Sequence, residues 1–88
     1  MKVSFRESFK RDLSAIREKS ALGRLGQVIE AVERCHSLVE IPNIKKLRGA
    51  STYYRIGTGQ YRVGVTLEAE TVTFVRFLHR KEIYRYFP

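Results

Sequence analysis

The segment 53–78, YYRIGTGQYRVGVTLEAETVTFVRFL, decides the fold because it contains three runs of β-forming residues separated by two turns. Tyrosine, valine, isoleucine and phenylalanine favour strands, whereas the glycines and acidic residues between the runs favour short turns. The three runs are Tyr53–Ile56, Tyr61–Leu67 and Thr71–Leu78. Consecutive strands joined by short turns predict an antiparallel sheet.

Alternation in the middle run assigns each of its residues to one face of that sheet. One face carries Tyr61, Val63, Val65 and Leu67, and the other carries Arg62, Gly64 and Thr66. Successive side chains of a strand point to opposite faces, so we expect Arg62 on the face away from the core. The last run has apolar residues at both parities, which predicts a strand covered on both faces.

Residues 1–44 add one short strand and two helices before this sheet. Lys2–Phe5 alternates polar and apolar residues and predicts a strand, after which the apolar period becomes helical. The apolar stripes comprise Phe9, Leu13 and Ile16 in the first helix and Leu22, Leu25, Val28, Ile29 and Val32 in the second. We expect a turn at 19–22 with Ser20 as the N-cap of the second helix, and a connector over 37–43.

The order β-α-α-β-β-β predicts an α+β fold. In this fold a helical hairpin packs on one face of a small twisted antiparallel sheet, because each helix has one apolar stripe to bury. A chain of 88 residues has room for one core, so we expect residues 1–88 to form a single domain.

The chain is strongly basic, and most of the excess lies in its second half. It has 17 Lys and Arg against 9 Asp and Glu, for a net charge of +8, and residues 45–88 contain nine basic and three acidic residues. A basic surface attracts polyanions, of which nucleic acid is the simplest in a cell. A basic protein with no polyanionic ligand and a patch for an acidic protein partner are the alternatives, and charge alone excludes neither.

Several observations bear on the compartment and on cofactors. Cys35 is the single cysteine, so neither an internal disulfide nor a cysteine zinc cluster can form. Met1–Glu7 carries charge where a signal peptide is apolar, and no run approaches the roughly 18 apolar residues of a membrane span. No carboxylate cluster has metal-ligand spacing. We therefore expect a cytoplasmic protein with no metal, cofactor or membrane contact.

Four segments of the second half resemble, in their order and spacing, motifs of the RelE/ParE superfamily of type II toxins. They are Lys46–Gly49 (KLRG), Tyr54–Ile56 (YRI), Tyr61–Val63 (YRV) and His79–Tyr84 (HRKEIY). The resemblance extends over essentially the whole chain, since the predicted order of elements is also that of the superfamily. It implies a small toxin that a cognate acidic antitoxin holds inactive in a hetero-oligomer.

The ending HRKEIY resembles the nuclease branch of the superfamily more than the gyrase-inhibiting branch. RelE-like members of that branch cleave messenger RNA on the ribosome and thereby inhibit translation. The resemblance implies catalytic positions for Arg62, Arg80 and Tyr84, and a basic position for Arg55. The expected substrate is therefore ribosome-bound messenger RNA.

The chemistry of RNA cleavage suits these residue types. Attack by the 2′-hydroxyl requires removal of its proton, stabilisation of the charged phosphorane and protonation of the leaving 5′ oxygen. Arginine stays protonated and offers a planar fork of donors, so Arg62 and Arg55 suit charge stabilisation. His79 and Tyr84 can take part in proton transfer. Their structural alternatives are a backbone-bonded imidazole at a strand end and a phenol that only covers the core.

Lysines and one further arginine precede the YRI motif. Lys45, Lys46 and Arg48 are expected to hold RNA phosphates, and their removal should weaken binding in a salt-dependent way.

Two other functions stay open at the level of sequence. Gly57 and Leu78 differ from the nuclease pattern, which favours a ParE-like toxin that inhibits DNA gyrase without catalysis. A plain RNA-binding module with an incomplete site is the third reading.

Overall fold

The computed structural model describes residues 1–47, 49 and 52–88, which form a sheet with helices packed against it. The elements are β1 (Lys2–Phe5), α1 (Glu7–Ser14), α2 (Lys19–Arg34), β2 (Ile44–Lys46), β3 (Tyr53–Thr58), β4 (Tyr61–Glu68), β5 (Thr71–His79) and α3 (Ile83–Tyr86). A single 3-10 turn, Leu38–Glu40, lies between α2 and β2. The predicted α+β class is confirmed.

The strand order across the sheet is β1-β5-β4-β3-β2. Neighbouring strands are antiparallel except at one edge, where β1 runs parallel to β5. The predicted meander of three strands is confirmed as β3, β4 and β5. The structure adds β2 and α3, which the predicted order did not contain, because three and four residues are too few to show a period.

The core lies between the α1–α2 hairpin and one face of the sheet. Buried side chains come from both layers and include Phe9, Leu25 and Val32 from the helices and Val63, Val65, Phe74 and Phe77 from the strands. Burying one such side chain stabilises the fold by about 2 kcal/mol. The helical hairpin therefore covers this face, and functional side chains must lie on the other face or at its ends.

A β-bulge in β5 explains why its apolar residues do not alternate. Gly64 pairs with Arg76 and Val65 pairs with Phe74, so Val75 has no partner across the strand. An extra residue reverses the parity of everything after it. Phe74 and Phe77 consequently both face α1 and α2, so the missing alternation comes from the bulge, and the other face of β5 contacts α3.

Helix α1 continues along the edge of β5 where β1 stops. The Arg6 backbone N–H donates to the Phe74 carbonyl at 3.0 Å. Two residues later the Ser8 hydroxyl donates to the Val75 carbonyl at 2.6 Å. The Asp12 carboxylate accepts from the Phe77 N–H at 2.9 Å. Polar groups of α1 thus satisfy backbone groups that the bulge and the end of β1 would leave unpaired.

The start of α2 differs from the prediction. The helix begins at Lys19, and the Glu18 carbonyl accepts from the N–H groups of Ala21 and Leu22. Ser20 therefore lies inside the first turn, and its predicted N-cap role is wrong. None of the helices in the described part of the chain is long and apolar enough to cross a lipid bilayer.

Candidate functional site

The sheet face opposite the helical hairpin carries a row of residues that crosses four strands. Register places Lys45 opposite Arg55, Arg55 opposite Gly64 and Gly64 opposite Arg76. Directly opposed residues share a face and lie in contact distance. We call Lys45, Arg55, Gly64 and Arg76 the cross-strand row.

The C-terminal segment lies over the middle of this row. A Cβ atom on Gly64 would lie 2.7 Å from the Phe87 ring, so only glycine leaves room for that ring. The Phe87 ring also packs edge-on against Tyr53, with the centroids 5.4 Å apart. Phe87 and Ile83 are almost fully buried, and they seat α3 on the sheet.

Two tyrosines of α3 contact the arginines on either side of Gly64. The Arg55 guanidinium carbon lies 5.1 Å from the centre of the Tyr84 ring. The Arg76 guanidinium carbon lies 5.5 Å from the centre of the Tyr86 ring. Both distances are those of cation–π contacts. Helix α3 therefore straddles the row and places the exposed Tyr84 on the Arg55 side.

Arg55 is a partly buried cation without a neutralising carboxylate among the described residues. Its Nε is buried, and no described group accepts a hydrogen bond from it. Burial, and next the positive charge of Arg62, lower the pKa of the Arg55 guanidinium below its ordinary value. An anion in the cleft that Arg55 and Arg62 line would offset the repulsion between their positive charges.

Arg62 lies beside Arg55 on the same face and is held by backbone carbonyls. Its Nη1 donates to the carbonyls of Gly59 at 2.9 Å and Tyr61 at 2.8 Å. Gly57 is its partner on β3, and a Cβ there would lie 3.5 Å from the guanidinium carbon. The glycine that departs from the superfamily pattern therefore lies directly against Arg62. The predicted placement of Arg62 away from the core is confirmed.

Two adjoining clefts lie along this surface. The first has a volume of about 460 Å³, and its lining includes Asn43, Lys45, Arg55, Gly57, Gly59 and Arg62. The second has a volume of about 370 Å³ and is lined by Lys45, Lys46, Leu47, Tyr84, Phe87 and Pro88. Lys45 belongs to both, so a cationic cleft adjoins one with apolar and aromatic walls.

Three further residues were predicted to belong to the site: Arg80, Lys46 and Arg48. Arg80 is exposed just beyond β5, and its backbone N–H donates to the Gln60 carbonyl at 2.8 Å. Lys46 is exposed and contributes to the lining of the second cleft, but it pairs with Tyr54 and so lies on the opposite face from Lys45 at the sheet edge. Arg48 lies outside the described residues.

His79 is not brought together with Arg62. It pairs with Tyr61 across β4 and β5, and the two rings meet edge-on with centroids 5.7 Å apart. Its Nδ1 accepts from the Lys81 N–H at 3.1 Å. Tyr61 packs on the buried Phe77, so the imidazole lies on the helix side of the sheet. This geometry matches the alternative of an imidazole bonded to backbone at a strand end.

Arg76 and its partner Asp12 belong to the site's surroundings and were not singled out by the sequence. Arg76 donates through Nε at 2.7 Å and through Nη2 at 2.9 Å to the two Asp12 oxygens. These hydrogen bonds raise the pKa of Arg76 above its ordinary value. The two residues are 64 positions apart, and the bulge hides the facing of Arg76, so no local signal could have found the pair.

In the part of the chain that the structure describes, no three His, Cys, Asp or Glu side chains lie close enough together to hold a metal ion.

Comparison with known proteins gives concordant matches. The family described as "ParE toxin of type II toxin-antitoxin system, parDE" matches residues 3–84. Toxin RelE3 of Methanocaldococcus jannaschii is 40% identical over 89 residues, which span all of both chains.

Solved structures agree. The chain is similar to the RelB–RelE antitoxin–toxin complex from Methanococcus jannaschii, with a TM-score of 0.82, 38% identity and coverage of 97% of this chain and 99% of that one. It has the fold of the YoeB dimer from Staphylococcus aureus, with a TM-score of 0.74, 14% identity and coverage of 91% and 97%.

Proposed function

The chain belongs to the RelE/ParE superfamily of type II toxins, and on this premise we propose that it is a RelE-like endoribonuclease that cleaves messenger RNA on the ribosome. The observation that carries this proposal is the set of unneutralised cations beside an exposed tyrosine. Lys45, Arg55 and Arg62 meet at one cleft, and Tyr84 lies against Arg55. Cations suit a phosphodiester and an aromatic ring suits a base.

The proposed reaction is attack by a 2′-oxygen on the adjacent phosphorus. The new 2′-oxygen–phosphorus bond forms as the bond to the 5′ oxygen breaks, which leaves a 2′,3′-cyclic phosphate and a 5′-hydroxyl. Arg62 supports this role because Nη1 binds backbone carbonyls while the described residues leave Nε and Nη2 free for phosphate oxygens. Arg55 adds a second cation for the charge that develops on the phosphorane.

Proton transfer falls to groups at the C-terminal end of the site. Tyr84 and Arg80 are both exposed and follow β5 closely, so they can reach the RNA backbone. We propose that one of them protonates the leaving 5′ oxygen, while the proton of the attacking 2′-hydroxyl passes to a water molecule. His79 is left out of this step because its ring lies on the helix side of the sheet. The proposed mechanism uses no metal ion.

The proposed partner is a small acidic antitoxin. The similar Methanococcus jannaschii structure is an antitoxin–toxin complex, and a net charge of +8 favours an acidic partner over this chain's cationic face. We propose that toxin and antitoxin form a hetero-oligomer in the cytoplasm and that free toxin inhibits translation.

The test is cleavage of a defined messenger RNA on purified ribosomes. Arg62→Ala and Arg80→Ala should each reduce the cleavage rate about 100-fold, because the first removes charge stabilisation at the reacting phosphate and the second removes a group proposed to act at the leaving 5′ oxygen. Arg34→Ala is the matched control, since Arg34 is an exposed cation on α2 that pairs only with Glu30 in the described structure. Full cleavage by both site variants would contradict the residue roles, and dependence on a divalent ion beyond the ribosome's own need would contradict the mechanism.

A second candidate is inhibition of DNA gyrase. The matching family is that of ParE toxins, and Gly57 occupies a position where the nuclease pattern can have a second basic residue. A supercoiling assay separates the two functions. Unimpaired gyrase at a large excess of the chain would remove this candidate.

A further inference from the structure

We propose that Asp12 and Arg76 are positioning residues that hold α3, and with it Tyr84, over Arg55. This inference rests on the proposed function for its activity readout, but its geometry stands independently. Asp12 belongs to α1 and Arg76 to β5, and neither lines the two clefts of the candidate site.

The Asp12–Arg76 pair is a rigid and well-shielded element. Two hydrogen bonds join the guanidinium to the two carboxylate oxygens, and one of these oxygens also accepts from the Phe77 N–H. The side chains are 10% exposed for Asp12 and 23% for Arg76. A bidentate pair of this kind fixes the plane of the guanidinium as well as its position.

The fixed guanidinium is a platform for α3. Tyr86 lies over Arg76, and Tyr84, two residues earlier in the same short helix, lies over Arg55. A helix of four residues has no stability of its own, so its orientation depends on what it contacts. Ile83 and Phe87 attach it to the sheet, and the two cation–π contacts set its rotation about that attachment.

The two arginine contacts contribute differently to this orientation. The Arg76 guanidinium is held by a carboxylate, whereas the Arg55 guanidinium has no carboxylate partner among the described residues and lines the cationic cleft, where a phosphate can approach it. When RNA engages Arg55, the Arg76 platform remains to keep Tyr84 in place. The structure therefore assigns Asp12, more than 60 residues away in sequence, to the geometry of the reacting groups.

The experiment compares Asp12→Asn with wild type in the full chain. Cleavage of ribosome-bound messenger RNA is measured at saturation. Affinity is measured with the same RNA carrying a 2′-deoxynucleotide at the cleavage site, which cannot react. We expect cleavage to slow about 10-fold or more while affinity is retained or slightly increased, because the substitution misplaces Tyr84 but removes a negative charge.

Two further variants keep this test decisive. Glu7→Gln removes the same charge from an exposed position of α1 and should leave the rate unchanged. Tyr86→Leu breaks the contact with Arg76 without unpairing the buried ion pair, and it should slow cleavage about 3-fold. A merely structural role would instead lower rate and affinity together, in proportion to the folded fraction, and that result would overturn the proposal.

Hydrogen exchange provides a readout that does not need catalysis. The Phe87 amide donates to the Ile83 carbonyl at 2.9 Å and reports on α3. In Asp12→Asn it should exchange about 10-fold faster, while amides between β3 and β4 keep their wild-type rates. Unchanged exchange at Phe87 would overturn the positioning role. If wild-type protein cleaves no RNA, the proposed function fails and exchange alone decides this inference.

Discussion

Arg55 and Arg76 occupy matching places on either side of Gly64, yet their electrostatic surroundings are opposite. Arg76 is bound by both oxygens of Asp12, whereas Arg55 lies opposite Lys45 and near Arg62. Each arginine lies against a tyrosine of the same short helix. The comparison shows how one sheet face separates two tasks: a neutralised cation holds the structure together, and an unneutralised one is left for a ligand.

The largest effect on the free energy of unfolding is expected when Arg76, the neutralised arginine, is removed. Arg76→Ala leaves the shielded Asp12 carboxylate without its cation, so we expect a loss of about 3 kcal/mol in the free energy of unfolding. Urea denaturation measures it. Arg34→Ala removes an exposed arginine, 78% accessible, and should cost at most about 0.5 kcal/mol. Equal losses in the two variants would show that the Asp12–Arg76 pair stabilises the fold no more than an exposed ion pair does.

The next largest effect on stability is expected at Gly64, which lies between Arg55 and Arg76 in the cross-strand row. Gly64→Ala places a methyl group against the Phe87 ring and should destabilise the fold by about 2 kcal/mol, again by urea denaturation. Gly26→Ala is the matched control, because a Cβ there meets nothing within 4 Å and alanine favours the helix. If the clash is the cause, the penalty of Gly64→Ala disappears in a Phe87→Ala background. A penalty that persists there would place the strain elsewhere.

The smallest effect has the opposite sign. Arg55→Gln removes a cation that faces two others and whose buried Nε is unsatisfied, so the free energy of unfolding should rise by about 0.5 kcal/mol. RNA binding should weaken at the same time, with a salt dependence reduced by about 0.7 in log–log slope. Arg76→Gln is the internal contrast and should destabilise. Destabilisation by both substitutions would show that Arg55 is structural too.

Strand periodicity predicted the part of the fold that carries the site. The alternation of Tyr61–Leu67 is a local property of the sequence. It placed Arg62 on the open face correctly, because one face of β4 is apolar and the other is not. The bulge at Val75 was not predictable from parity, because it depends on how β5 aligns with β4. That single residue also decides the side on which His79 lies, whereas His79 was expected at the site only because it is the histidine inside the basic terminal run.

The remaining features depend on contacts between distant parts of the chain. Strand β2 forms only because Ile44–Lys46 finds β3, and its three residues carry no period of their own. The seat of Phe87 on Gly64 joins the last turn of the chain to the central strand. The Gly64 position was assigned to the correct face from sequence, but its role required the ring above it.

The way α1 extends along β5 has a consequence for self-association. A sheet edge with unpaired backbone is a template for another strand, and long flat edges lead to aggregation. Here Ser8 binds the Val75 carbonyl and Asp12 binds the Phe77 N–H of β5 beyond β1, so these two groups are not available to a foreign strand. At the opposite edge β2 is three residues long and carries Lys45 and Lys46, so two copies meeting edge to edge would bring like charges together. Both edges of the sheet therefore disfavour strand pairing between two copies of the chain, and the cationic face stays open.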